Sequence, residues 1–228
     1  MAISNDALMA KLFKWTTTVE YNGVKFYQRI VGDSVIDDAR REALLESRKL
    51  RRELRDTDSS DYLIYLDPLE DLDDTELRES VIIVAMRDIM REYLQNTPRP
   101  AILELPDNPS QELQEEYEAA HEEREKNYLA DMTAHVDNWR VDFEKTLEGK
   151  DRNMIMGLAK KYRVDQACED RFTQVFEDHV VCASIYADDK YKTRMFMLEQ
   201  YKELPAELKT KLRNSYNTIT VDPDSLKN

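Results

Sequence analysis

The chain has 228 residues, 35% of them charged, with a formal net charge of −14 and a pI near 4.8. Nucleic acid and anionic lipid are repelled at long range by such a chain, and basic partners are favoured. Four glycines in all, and no apolar run approaching about 18 residues, give no reason to expect a glycine-rich phosphate cradle or a transmembrane helix.

The N-terminal stretch MAISNDALMAKLF is too short and too polar for a secretory signal. Residues 13–31 form the one clear β pattern. Phe13, Trp15, Thr17, Val19 and Tyr21 alternate with polar neighbours, Asn22-Gly23 follows, and Val24, Phe26, Gln28 and Ile30 resume the alternation. Asn-Gly between alternating runs predicts a hairpin, because both central residues of its tight turn need positive φ. A lone hairpin is marginal in water, so its apolar face must pack on something.

A helix is expected to start at Asp33 or Ser34, either of which can cap it. Ile36, Ala39, Ala43, Ser47, Leu50 and Leu54 recur at steps of three and four and define its buried face. The other face is basic, with seven Lys/Arg and three Glu over 39–55. The next stretch, 56–76, has nine Asp/Glu and no Lys or Arg, and is expected to fold back and neutralise it. DYLIYL within it is too short to distinguish strand from helix. Asp73 and Glu76 form a capping-box pattern for a helix running to about Gln95. Its VIIVAM segment, apolar nearly all round, predicts the most buried helix of the N-terminal half.

Residues 96–109 hold four of the seven prolines and read as a domain boundary. Asn108-Pro109-Ser110-Gln111 then predicts a helix start with Asn108 as cap. No breaker follows until Gly149. Residues 110–131 carry eight acids and two bases, so the first half of this helix is expected to project and only its second half to dock, through Met132, Val136, Trp139, Phe143 and Leu147. Beyond Gly149 the expectation is a short helix to about Tyr162, a longer one over 166–187, another over 189–204, and a last one opened by Pro205. Cys168 and Cys182 lie 14 apart, too far for a disulfide along one helix, and read as buried reduced thiols.

Catalytic patterns are sparse. Glu118-x-x-His121 has half the spacing of a helical di-iron site, but Met132 and Phe176 stand where His135 and His179 would need their acids. His179 and Cys182 are spaced as a nucleophile and base, yet Cys182 sits in apolar VVCASIY, which raises a thiol pKa and makes it inert. The acid clusters lie in charge runs and read as solvated faces. There is no EF-hand spacing, phosphate loop, Gly-x-Ser-x-Gly or zinc pattern. No enzyme, cofactor or metal is expected. The basic helix 39–55 reads as a site for an acidic or amphipathic partner helix before nucleic acid.

The order of elements is informative: a hairpin TVEYNGVKFYQRIVG, an Arg/Leu-rich helix DDARREALLESRKLRRELRDTDSSDYLIYLDPLEDLDDTEL, and a helical half ending in YKELPAELKTKLRNSYNTITVDPDSLKN. This layout resembles tail assembly chaperones of long-tailed bacteriophages. The resemblance implies a non-enzymatic protein of the infected cell's cytoplasm. It would bind the long, hydrophobic, helical tape-measure protein, keep it soluble, and leave as the tail tube polymerises. A longer frameshifted form occurs in many such phages.

The expected architecture is mainly α. An N-terminal β-hairpin packs on helices within 1–95, a Pro-rich linker covers 96–109, and a long charged helix leads into a C-terminal bundle over 110–228. The expected partner contacts are Trp15, Tyr21 and Phe26 of the hairpin and Met132, Val136, Trp139 and Phe143 of the long helix, with internal core as the competing reading for each. Self-association is a further option. Two other functions fit the same residues: a permanent adaptor of a virion or cellular complex, and an acidic helical inhibitor that mimics DNA.

Overall fold

The computed structural model describes residues 16–101 and 110–220. The fold is mainly helical with a small N-terminal antiparallel sheet, as expected. In chain order the elements are β1 (Thr16–Tyr21), β2 (Val24–Arg29), α1 (Asp33–Glu53), α2 (Ser60–Tyr65), a 3-10 turn (Asp67–Leu69), α3 (Asp74–Asn96), α4 (Gln111–Leu147), α5 (Arg152–Ser184), β3 (Ile185–Tyr186), α6 (Leu198–Lys202) and α7 (Ala206–Thr220).

Contacts divide the chain into two compact units, and not along the proline-rich stretch. One unit joins the residues up to Arg52 to those from Cys168 on, and the other is the intervening Glu53–Ala167. The boundaries therefore fall at the end of α1 and inside α5. The expected scheme of 1–95, 96–109 and 110–228 assumes that neighbours in sequence pack together. Here the hairpin is completed by segments more than 150 residues away.

In the first unit, Asn22 and Gly23 take φ of 49° and 77° and close β1 on β2, with Val19 facing Phe26 and Tyr21 facing Val24. The third strand was not expected. Tyr27 and Gln28 of β2 pair with Tyr186 and Ile185 of β3, giving the order β1-β2-β3. Val19, Phe26 and Ile185 enter a core shared with Ala39 of α1, Val181 of α5, Tyr201 of α6 and Leu212 of α7. Gln28, fully buried among them, donates from Nε2 to the Ser184 hydroxyl (3.2 Å) and the Leu212 carbonyl (3.1 Å).

The second unit is built on an antiparallel pair, α3 and α4. Asp73 and Glu76 form the expected capping box, with the Asp73 carboxylate accepting from the Thr75 and Glu76 backbones (2.8 and 2.9 Å) and Glu76 reaching back to the Asp73 N–H (3.0 Å). The cap of α4 is Ser110, whose hydroxyl accepts from Leu113 N–H, not Asn108, which lies outside the described residues. Gly149 ends α4 in the left-handed region, φ 74°. The Arg78 fork then donates to the carbonyl of Leu147, the last residue of α4 (2.6 Å), and to that of Lys150 just beyond it (2.7 Å). A guanidinium at a helix C-terminus satisfies orphan acceptors and opposes the dipole.

Several elements differ from expectation. α5 is one helix of 33 residues. Gly157 does not break it, since a glycine inside a helix costs only about 1 kcal/mol. The expected helix over 189–204 is mostly a loop, with only the short α6 at its end. Asp188 takes the backbone N–H groups of Lys190, Lys192 and Thr193, which holds the chain in a turn. Of the acid-rich stretch, Glu70 is bonded by Lys160 and Asp74 by Arg152 (2.7 Å), both from α5.

Asp73→Ala should destabilise the protein by about 1 kcal/mol, the usual cost of losing a cap, read as a lower urea midpoint at unchanged slope. Acid should act through Glu70. Its hydrogen bond to Lys160 holds the carboxyl below its ordinary 4.5. The pair's contribution is therefore full above that value and lost as pH falls through the lowered one. Lys160→Met should flatten this part of a stability–pH curve.

Candidate functional site

The expected contact residues fall in different units. Trp15 lies outside the described residues. Tyr21 is half-buried against the first unit's core, its hydroxyl donating to Glu207 Oε2 (3.4 Å). Phe26 is a correction. It is 4% exposed and stacks on Phe196 at 6.0 Å, because the strand alternation turns it inward. Val136 is a second correction, at 5% exposed on the inner face of α4. Met132, Trp139 and Phe143 are half-buried on the same helix. The rings of Trp139 and Phe143 stack at 4.6 Å and 17°. The stripe is thus part of the second unit's packing, with its aromatic margin open to solvent.

Nor does the first half of α4 carry only solvated residues. Leu113, Tyr117 and His121 are half-buried and Tyr128 is buried. Tyr128 donates to the Thr97 carbonyl (3.1 Å) and packs beside Tyr93, while Glu125 takes a forked bond from Arg99 (2.8 and 3.1 Å).

What sequence reasoning missed is the outer face of α3. Ile83 and Leu94 are 54% and 52% exposed, and Met90 is exposed with them. At 100° per residue these three lie together, roughly opposite the buried Leu77, Val81 and Ala85. VIIVAM, apolar nearly all round, reads as part of the most buried helix of the N-terminal half. In the second unit the helix is covered on one side and leaves Ile83, Met90 and Leu94 exposed on the other, with the exposed Arg87 between the first two.

Charge is divided as unevenly as apolar surface. Residues 53–167 hold 29 Asp/Glu against 14 Lys/Arg, a net −15. The rest of the chain has 18 against 19, a net +1, and together these give −14. Eight of the twelve exposed large hydrophobic residues also lie in the second unit, among the described residues. One unit therefore offers a strongly acidic surface that is also broken by apolar side chains.

The first unit has an open groove of about 580 Å³, lined by Glu42 and Glu46 of α1, Arg171 and Asp178 of α5, and Lys202 and Lys209 beyond it. Both signs of charge alternate around it, and Asp178 lies 3.6 Å from Arg213. His179 borders the groove, but Cys182 is buried, its Sγ 3.7 Å from the Phe196 carbonyl oxygen. Burial pushes its thiol pKa up to about 11, against the reactive thiolate a Cys-His pair would need. Among the described residues no three of His, Cys, Asp and Glu gather as a metal site, and no helix is long and apolar enough to cross a membrane.

No family model, no curated protein and no solved structure matches the chain.

Cys168 and Cys182 are both buried, and they form no disulfide with each other. Neither should react measurably with a thiol reagent at pH 7.5 in native buffer, and both should react rapidly in denaturant. Val136→Ala should lower stability by about 1–2 kcal/mol through lost burial, measured by urea unfolding.

Proposed function

We propose that this protein is a non-enzymatic assembly chaperone that holds apolar helices of a partner in solution, in the manner of a phage tail assembly chaperone acting on its tape-measure protein. The observation that carries the reading is the exposed stripe Ile83, Met90 and Leu94 on α3, within a unit of net charge −15. An amphipathic client helix can lay its apolar face on such a stripe, as helices do in hydrophobic grooves. The acidic surface around it keeps the complex soluble and repels a second copy of the same complex. Contact through a few exposed apolar groups is also weak enough to reverse when the client is passed to its final assembly. The half-buried Trp139 and Phe143 on α4 supply further aromatic surface in the same unit.

A second reading draws on the charge alone. An acidic helical unit can compete with DNA for a basic protein. Salt distinguishes the two, because charge pairing weakens as the Debye length falls from about 10 Å at 0.1 M to about 3 Å at 1 M, whereas apolar contact does not.

The test is co-expression with a tape-measure protein from a long-tailed phage. The chaperone reading expects the large protein to become soluble and to co-purify through a wash at 1 M salt. The double variant Ile83→Ser/Leu94→Ser should lose that rescue while keeping its native circular dichroism, since both side chains are already exposed. An unchanged rescue by that variant would remove the stripe from the reading. Capture that disappears at high salt would favour the inhibitor.

A further inference from the structure

The outer face of the sheet carries chemistry that the proposed function does not use. Strand alternation sends Val19, Phe26, Gln28 and Ile185 into the core, and sends Lys25, Tyr27 and Arg29 of β2 to the other side. Tyr186 stands opposite Tyr27 in register, and Arg194 bridges to Tyr186 from the strand-like return beyond the loop. Arg29 lies over the Tyr186 ring at 5.1 Å and the Tyr191 ring at 5.9 Å. Arg194 lies over Tyr186 at 5.8 Å, and Tyr191 meets Tyr186 edge-on at 5.6 Å.

Tyr191 has φ of 54°, a backbone conformation uncommon for an aromatic residue. It is held there by the Asp188 carboxylate, which accepts from three backbone N–H groups of the loop. Those bonds, led by the one from Thr193, lower the Asp188 pKa and engage its charge within the loop. The cations beside it are less engaged. Arg194 spends one N–H on the Ala183 carbonyl (2.7 Å), and the exposed guanidinium of Arg29 makes no hydrogen bond or ion pair among the described residues.

Stacking on a ring occupies the face of a guanidinium and leaves its in-plane donors free. Those donors form the fork that takes a carboxylate in two parallel bonds. The backbone adds a second feature. Met195 N–H donates to Ile185 O (3.1 Å) and Ala187 N–H to Thr193 O (2.9 Å). The Tyr186–Arg194 bridge is therefore a non-hydrogen-bonded pair, and the N–H and C=O of Arg194 itself point away from β3 as an open edge.

From this juxtaposition we infer that the Arg29–Tyr186–Arg194 face binds an acidic protein segment in extended conformation. Alternate carboxylates of the segment would reach the two guanidiniums, and its backbone would pair with the edge at Arg194. Alternate side chains of a strand share one face and repeat at about 7 Å, within the reach of two long arginines. Single-stranded nucleic acid is the less favoured occupant. It needs open rings for its bases, and Tyr186 is 6% exposed beneath its arginines. This inference is independent of the chaperone reading and uses only residues of the first unit.

The test titrates the full-length protein with acetyl-Glu-Val-Glu-Val-Glu-amide, with its Gln counterpart, and with a thymidine hexanucleotide, following backbone and arginine Nε–H resonances. The expected result is saturable binding of the Glu peptide alone, weakened by salt, with shifts at Arg29, Tyr191 and Arg194. Arg29→Gln should weaken it about tenfold, the effect of losing one charge-assisted hydrogen-bonded contact. Arg29→Lys should fall between. Arg194→Gln also removes a structural bond to Ala183, so Arg29→Gln is the deciding variant, with unchanged amide shifts at Val19 and Phe26 as its folding control. Equal binding of the Gln peptide, no shift at millimolar Glu peptide, an unaffected Arg29→Gln variant, or tighter binding of the oligonucleotide would each overturn the inference.

Discussion

The buried side chain of Gln28 ties together the parts of the first unit that sequence keeps apart. Its amide sits in the middle of the sheet and bonds the end of α5 through Ser184 and α7 through Leu212. A two-stranded hairpin cannot hold itself in water. This one is stable because residues 156 and 184 positions away complete both its sheet and its core. Buried amides are costly unless bonded, so the strand register that brings Gln28 to Ser184 is strongly preferred over a slip by one residue, which would also turn Val19 and Phe26 to solvent. Gln28 Oε1 makes no bond in this arrangement. The core tolerates that loss on one side of the amide because the other side is doubly used.

The second unit lies in sequence between these halves and answers to a local rule. The hairpin of α3 and α4 closes because Arg78, one turn into α3, reaches the carbonyls where α4 ends. The capping box fixes where α3 begins and Gly149 fixes where α4 stops, so the two helices can meet in only one register. Tyr93 beside Tyr128 and His135, at the other end of α3, is the same antiparallel pairing seen in side chains. Each of these contacts joins residues a few tens of positions apart, against nearly 200 for Ser215 and Thr17 in the first unit.

This contrast explains which features were legible in the sequence. Asn22-Gly23, the Asp73–Glu76 box, the inward stripe of α1 and the end of α4 at Gly149 are each specified by a few adjacent residues with a steric or hydrogen-bonding requirement. β3 has two residues and no pattern of its own, and exists only because β2 is beside it. The division into units depends on long-range contacts, so its boundaries at the end of α1 and inside α5 have no local punctuation to mark them. At the candidate site, hydrophobicity identifies Val136 and Phe26 as apolar but does not separate core from surface. The stripe at Ile83, Met90 and Leu94 is hidden for the opposite reason: a helix apolar on every side reads as buried, and only the packing reveals which side has been left open.

On the two readings proposed above, the units would hold partners by different means. The second joins apolar contact to a high density of like charge, which favours clients able to bury a hydrophobic face and disfavours association of one acidic complex with another. The outer sheet face of the first offers oriented donors in a nearly neutral surrounding. A chain with net −14 spread evenly would repel any acidic segment before its arginines were reached. Concentrating the acids between Glu53 and Ala167 leaves Arg29 and Arg194 in a unit of net +1, so short-range hydrogen bonding there meets little opposition from that unit's own charge. The sign of the whole molecule is thus a poor guide to what each surface can bind. What matters to a short-range bond is the charge of the nearest residues, and within the first unit that charge is nearly balanced.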